Sequence, residues 1–230
     1  MSSDRAQSSR KFTKSARSRA RTRVGATFAT FGVALTLLAS TSASAATVVT
    51  ADRYLDVNSG KYIENPAIFI GDDGRMTSIA DARTVRWGAQ VKHVDLSGKT
   101  LVPGLIDMHV HLEGETSKDQ SLQRFIFNEA DIAFRATGFA KKTLMAGFTT
   151  VRDLGGTGVN TALRNAINQG WVIGPRVFSA GKAIGTTGGH ADPTNSYRKD
   201  LMGDPGPAQG VINSADDARK AVRQRYKDGA

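Results

Sequence analysis

Leu101-Val-Pro-Gly-Leu-Ile-Asp-Met-His-Val-His111 is the stretch on which the reading of the fold turns. Pro103-Gly104 interrupts what precedes it, and Leu105 to His111 then reads as a strand with apolar residues at Leu105, Ile106 and Val110, as expected where both faces are covered. Side chains alternate along a strand, so Asp107, His109 and His111 are expected on one face. At the usual rise the two imidazoles stand about 7 Å apart along the strand, near enough to bend toward one divalent ion. A bare His-x-His is a weak signal, because two such histidines also occur as ordinary core or surface residues. The surrounding sequence has to decide.

Downstream, Leu122, Phe125, Ile126, Ile132, Ala133, Ala136, Phe139, Ala140 and Leu144 recur at helical spacing. They predict one long helix, with Gly147 as its C-terminal cap. Phe148 to Asp153 predicts a second strand. Asn160 is expected to cap a short helix carrying Leu163, Ala166 and Ile167, which Gly170 ends. Pro175 to Ser179 predicts a third strand, and Ser214-x-x-Asp217 opens a last helix that stops near Gly229. Alternating strands and helices imply right-handed crossovers and a parallel sheet, closed as a barrel or open and doubly wound. No G-x-G-x-x-G follows the first of these strands, so a dinucleotide site is not expected.

Upstream, residues 46–102 read as a small β domain. Thr47 to Thr50, Ala67 to Ile70, Met76 to Ile79 and Val91 to Val94 are short strand candidates. Asn58-Ser59-Gly60, Asp72-Asp73-Gly74 and Ser97-Gly98-Lys99 punctuate them as turns. His93 falls in this unit and is expected to be structural.

The net charge of +10 resides mostly in the leader. Residues 1–45 contain eight Arg/Lys against one Asp, so they hold seven of the ten net positive charges. The remainder is nearly balanced, which argues against nucleic-acid binding. In the leader a basic stretch to Arg23 precedes an apolar run over Ala26 to Ala39, then small residues ending in Ala43-Ser44-Ala45. That is the order of a cleavable signal peptide, with cleavage after Ala45 and export to the periplasm or outside the cell. The run is too short and Thr-rich for a comfortable span, so no stable membrane anchor is expected after cleavage. With no cysteine, disulfides and thiolate metal sites are excluded, leaving His, carboxylate or modified Lys as ligands.

Taken with its flanks, the Leu101 to His111 stretch closely resembles the first-strand signature of the amidohydrolase superfamily. Gly147-Phe-Thr-Thr-Val-Arg-Asp-Leu-Gly155, Gly174-Pro-Arg-Val-Phe-Ser-Ala-Gly181 and Gly188-Gly189-His190 extend the resemblance over residues 47–230. They are similar to the imidazolonepropionase-related branch, which includes exported dipeptidases acting on Xaa-Pro and related N-acyl amino acids. The resemblance implies an α/β fold: the N-terminal part of a (β/α)8 TIM-type barrel over 103–230, preceded by a small β-sandwich-like unit.

It also implies one or two divalent ions, usually Zn2+, at the barrel mouth, with His109 and His111 as ligands from the first strand. Asp107 is implied as a neighbour hydrogen-bonding a ligand imidazole. His190, in a loop over the mouth, is implied as a substrate contact; a solvated loop histidine is the equal alternative. Arg152 and Asp153 end the second strand, where one of them faces the site or the two pair to hold the loops. Lys182 follows the third strand, whereas the bridging lysine of binuclear relatives comes from the fourth, so it reads as a loop cation.

Such a barrel usually needs about 250 residues, and only three strands can be placed after Pro103. The catalytic Asp, the bridging lysine and the later His ligands are therefore expected beyond Ala230, and this chain is expected to be an inactive fragment. For the whole protein the expectation is hydrolysis of a C–N amide bond in a dipeptide or N-acyl amino acid by metal-activated hydroxide. A cyclic-amide hydrolase or deaminase of the same superfamily, and a non-catalytic envelope binding protein, are the alternatives. The partner is a small molecule or dipeptide, and homo-oligomer formation is left open.

Overall fold

The computed structural model describes residues 45–230. The expected signal peptide lies outside the described residues, apart from Ala45 at its end.

β1 (Ala45–Asp56), β2 (Lys61–Glu64), β3 (Pro66–Gly71), β4 (Met76–Asp81) and β5 (Lys92–Leu101) form one five-stranded sheet. β1 is its axis. It pairs antiparallel with β3 along its first half and with β2 along its second, while β5 runs parallel to it. Val48, Ala51, Pro66, Ala67 and Ile68 are buried in it. The turns expected at Asn58-Ser59-Gly60 and Asp72-Asp73-Gly74 close the β1–β2 and β3–β4 hairpins, with Gly60 and Gly74 at positive φ. His93 donates to or accepts from Thr50 Oγ1 at 2.9 Å, and its ring lies tilted 5.0 Å from the Trp87 ring, a structural placement.

Three expectations for this unit need correction. The described residues give one sheet and not the two layers of a sandwich. Lys61–Glu64, exposed along its length, is a strand that the sequence pattern did not single out, formed because its partner β1 continues through the charged stretch to Asp56. Ser97-Gly98-Lys99 does not turn the chain. It bulges out of β5 opposite Asp52, between the pairs Ala51–Leu96 and Arg53–Thr100. Gly98 takes φ +79 there, and its N–H donates to Asp52 Oδ1 at 2.9 Å.

The second sheet has three parallel strands in the order β6 (Leu105–Val110), β7 (Phe148–Asp153), β8 (Arg176–Ser179). The helices are α1 (Gln120–Ile126), α2 (Glu129–Met145), α3 (Val159–Asn168), α4 (Lys199–Met202) and α5 (Ala215–Lys227). α2 packs on β7 and α3, and α3 also packs on β8. Leu112, Ala136, Ala140, Val151, Leu163 and Val177 form the core between helices and sheet. Burying Val151 completely contributes roughly 1.5–3 kcal/mol.

The single long helix expected after β6 is two helices. Phe127, extended at ψ 132, ends α1, and Asn128 starts α2 through a capping box with Asp131. Apolar spacing carries across that break, which is why periodicity alone missed it. Gly147 ends α2 at φ +97, and Ser214 caps α5 by accepting from Asp217 N at 3.1 Å.

Candidate metal centre

Three parallel strands place the connections that follow them at one end of the sheet, the end where function gathers in α/β folds. His109 lies in the last turn of pleat of β6, and His111 just beyond it. Their rings stand 5.4 Å apart, centroid to centroid, at an interplanar angle of 71°. His111 Nδ1 lies 2.7 Å from the Gly155 carbonyl oxygen. An oxygen there requires Nδ1 to carry the proton, leaving the Nε2 lone pair available to a cation. Two imidazoles each binding one ion at about 2.0–2.1 Å keep their centroids on the order of 5 Å apart. This donor pair therefore fits a divalent cation. Among the described residues no group of three or more His, Asp or Glu side chains gathers within reach of one ion.

Asp107 is placed differently from the expectation. The register shifts between Asp107 and Val110 against β7, so strict alternation does not hold along this strand. Asp107 Oδ1 accepts from the His109 backbone N–H at 2.9 Å and touches neither imidazole through a hydrogen bond. It fixes the backbone on which His109 is mounted.

Arg152 and Asp153 point to opposite faces and do not pair. Arg152 Nε donates to the Met108 carbonyl at 2.9 Å, on the exposed face of the sheet. Asp153 is completely buried. Its carboxylate accepts from Leu112 N at 2.8 Å, Gly155 N at 3.1 Å and Asn160 Nδ2 at 2.8 Å. One side chain thus ties the residue after His111 to the residue whose carbonyl orients His111.

Asn160 does not cap α3. It lies inside the helix, buried, and spans Asp153 and the Gly181 carbonyl. The N-cap is Gly158, which has no side chain to offer. Glu113 substitutes for it, its carboxylate accepting from Thr157 N at 2.6 Å, Gly158 N at 3.3 Å and Asn160 N at 2.7 Å. Sequence reading missed Glu113; the signal was a helix start, Gly156-Thr-Gly158, lacking a strong side-chain cap of its own.

His190 lies exposed in the loop after β8, and no hydrogen bond or ring contact joins it to His109 or His111 among the described residues. The loop is pinned by Asp192, which accepts from Gly188 N, Thr194 N and Thr194 Oγ1 at 2.9 Å each. The backbone donors of Gly188 and Thr194 hold the Asp192 carboxyl below the usual aspartate range. Lys182 follows β8, as a loop cation would.

The Amidohydrolase family pattern matches residues 100–230, more than half of the chain. The chain belongs to the amidohydrolase family. Among solved amidohydrolase-type structures it is similar to a Xaa-Pro dipeptidase with methionine bound in its active site, at 41% identity and a TM-score of 0.72. That match covers 80% of this chain and 45% of the dipeptidase. A prolidase complexed with N-methylphosphonate-L-proline matches at 29% identity and a TM-score of 0.66, covering 80% of this chain and 45% of the prolidase. Ochratoxinase from Aspergillus niger is 30% identical over 142 residues, which are 56% of this chain and 29% of that enzyme. The chain therefore spans less than half the length of these relatives.

Proposed function

We propose that the whole protein hydrolyses a C–N amide bond in a dipeptide or N-acyl amino acid, with His109 and His111 holding one divalent ion, Zn2+ by donor type. The observation that carries this reading is the His109–His111 pair, its rings 5.4 Å apart with His111 anchored through Nδ1. The similarity to a Xaa-Pro dipeptidase and a prolidase supports the substrate class. A bound divalent ion would supply Lewis acidity and a lowered pKa for water.

The chain's own residues prepare the site. The Gly155 carbonyl selects the His111 tautomer, the Asp107 carboxylate fixes the His109 backbone, and Asp153 holds both loops that carry these groups. We propose His190 as a substrate contact, which its place in a loop at the same end of the sheet supports.

The architecture proposed for the family member is a β/α barrel that includes β6, β7 and β8. Their parallel order and the helices packed on one face support it. The small β domain is proposed to end at Val102, with the hydrolase part starting at Pro103. Export through a signal peptide cleaved after Ala45 is proposed from the leader, and among the described residues no helix is long and apolar enough to cross a membrane. N-terminal sequencing of the exported protein should begin at Ala46.

Metal analysis of purified protein tests the central reading, together with a panel of dipeptides and N-acyl amino acids. His111→Ala should lower zinc affinity at least about tenfold, and Asp107→Asn by less. A zinc content unchanged in the double variant His109→Ala/His111→Ala would sink the assignment.

A further inference from the structure

Asp107 on β6 faces Val151 on β7, and the next pair along is Val110 with Asp153. Between these pairs β6 advances from 107 to 110 while β7 advances only from 151 to 153, so β6 bulges at Met108-His109. A bulge releases a strand from strict alternation, and the direction of a side chain on it then depends on how its peptide group is held. Two side chains hold this one. The Asp107 carboxylate accepts from the His109 N–H at 2.9 Å, and Arg152 Nε donates to the Met108 carbonyl, also at 2.9 Å.

The Met108 carbonyl and the His109 N–H belong to one planar trans peptide, so they point in opposite directions. Arg152 and Asp107 therefore grip that plane from its two sides, each through a hydrogen bond with one ionised member, the stronger kind. Turning the plane would change ψ of Met108 and φ of His109, and with them the direction in which the His109 side chain leaves the strand. The two histidines differ in this respect. His111 is oriented at its ring, by the Gly155 carbonyl at 2.7 Å. Among the described residues no hydrogen bond orients the His109 ring, so its direction is set at the backbone.

We infer that Arg152 is a positioning residue for the metal: with Asp107 it fixes the Met108–His109 peptide and so directs the His109 imidazole toward the ion that His111 also binds. The inference rests on the reading of His109 and His111 as ligands, and its test does not require turnover. Zn2+ alone is titrated calorimetrically into the full chain. A guanidinium near the site repels a divalent ion, so losing its charge alone tightens binding, whereas losing the positioning weakens it. Methionine and glutamine separate the two effects. Both are neutral, and at the place along the side chain where arginine carries Nε, glutamine carries an amide donor and methionine a methyl group.

Arg152→Met should weaken Zn2+ binding about three- to tenfold, and Arg152→Gln should bind as tightly as the parent or more so. Arg176→Met is the control. Arg176 lies on the same face of the sheet, where its Nη1 donates to Thr150 Oγ1 at 3.1 Å. Its loss removes the same charge without freeing β6, and affinity should hold or rise. Near-UV dichroism and the urea midpoint should match the parent in all three, since Arg152 and Arg176 are exposed; Arg152→Leu stands in for the methionine variant should that one lose its near-UV spectrum. Equal affinities of the Met and Gln variants, or a Met variant tighter than the parent, overturn the inference and leave the histidine ligands standing. Zn2+ binding that survives intact in His109→Ala/His111→Ala removes the ligand reading, and the inference with it.

Discussion

Asp153 shows how much of the site depends on one residue that binds nothing itself. Its carboxylate is the shared acceptor for two backbone N–H groups and one side-chain amide, all in a region closed to water. Removing it strands those donors, and each buried orphan costs about 1–3 kcal/mol. Asp153→Ala should therefore destabilise the chain by roughly 3–5 kcal/mol. Asp153→Asn keeps the shape but turns an amide NH2 toward donors, and should cost less than Ala. Urea denaturation checks this: the midpoint should fall with the slope unchanged. A midpoint shift below about 1 kcal/mol for the alanine variant would mean that water satisfies these donors and Asp153 organises nothing.

At the scale of elements, the start of α3 is built by a residue 46 positions before it, and this is where the sequence was hardest to read. Strand positions around the site were legible because they depend on local pattern: β7 coincides with Phe148 to Asp153, and the glycines at 147 and 170 end helices as their positive φ requires. The α1–α2 break and the Glu113 cap were not legible. The first hides inside an unbroken apolar period, and the second joins residues distant in sequence. The histidine pair could be read from its spacing, yet the anchoring of His111 by Gly155 depends on where β7 ends relative to β6, which no local motif encodes.

The cap and its neighbour glycine form one device. A Cβ at Gly156 would sit 2.3 Å from Glu113 Oε1, so a side chain there must expel the carboxylate. Glu113→Ala should cost about 1–2 kcal/mol, the range of a lost N-cap. Gly156→Ala should cost a similar amount, and the double variant should be little worse than either single one. Additive losses in thermal or urea unfolding would show that the two residues act separately.

A second element-scale prediction concerns the loop that carries His190. Asp192 holds it with a carboxylate whose pKa in the folded chain lies below the ordinary aspartate range, because the Gly188 and Thr194 backbone N–H groups donate to it. A depressed carboxyl pKa gives stabilisation that is present in full above the unfolded value and is lost as pH falls through the folded one. The loop should thus keep one conformation from neutral pH down to about 4 and loosen only below that. The amide proton shifts of Gly188 and Thr194, followed by NMR, report it directly. A transition centred near pH 6 would instead tie the loop to a histidine.

For the molecule as a whole, the second sheet is dressed on one face only. Val151, Asp153, Val177 and Ser179 point toward the helices and are buried. The other face shows Ile106 at 62%, Met108 at 54% and Phe178 at 59% exposure, with Arg152 and Arg176 between them. Thr150 and Arg152 of β7 part Ile106 and Met108 on β6 from Phe178 on β8, so the exposed apolar side chains form two smaller patches, and solvent-exposed apolar surface of this kind binds amphipathic dyes without any loss of fold. The 230-residue chain should therefore enhance ANS fluorescence under native conditions, with a sharp near-UV dichroism spectrum still present. Ile106→Ser with Phe178→Ser should remove most of the signal and leave the unfolding midpoint within about 1 kcal/mol, since these side chains gain nothing from burial in this structure. Dye binding that survives the double substitution would locate the exposed surface elsewhere. Dye binding that appears only together with a lost near-UV spectrum would mean that the chain is a loosened globule, and that the packing of α2 and α3 on this sheet does not hold in solution.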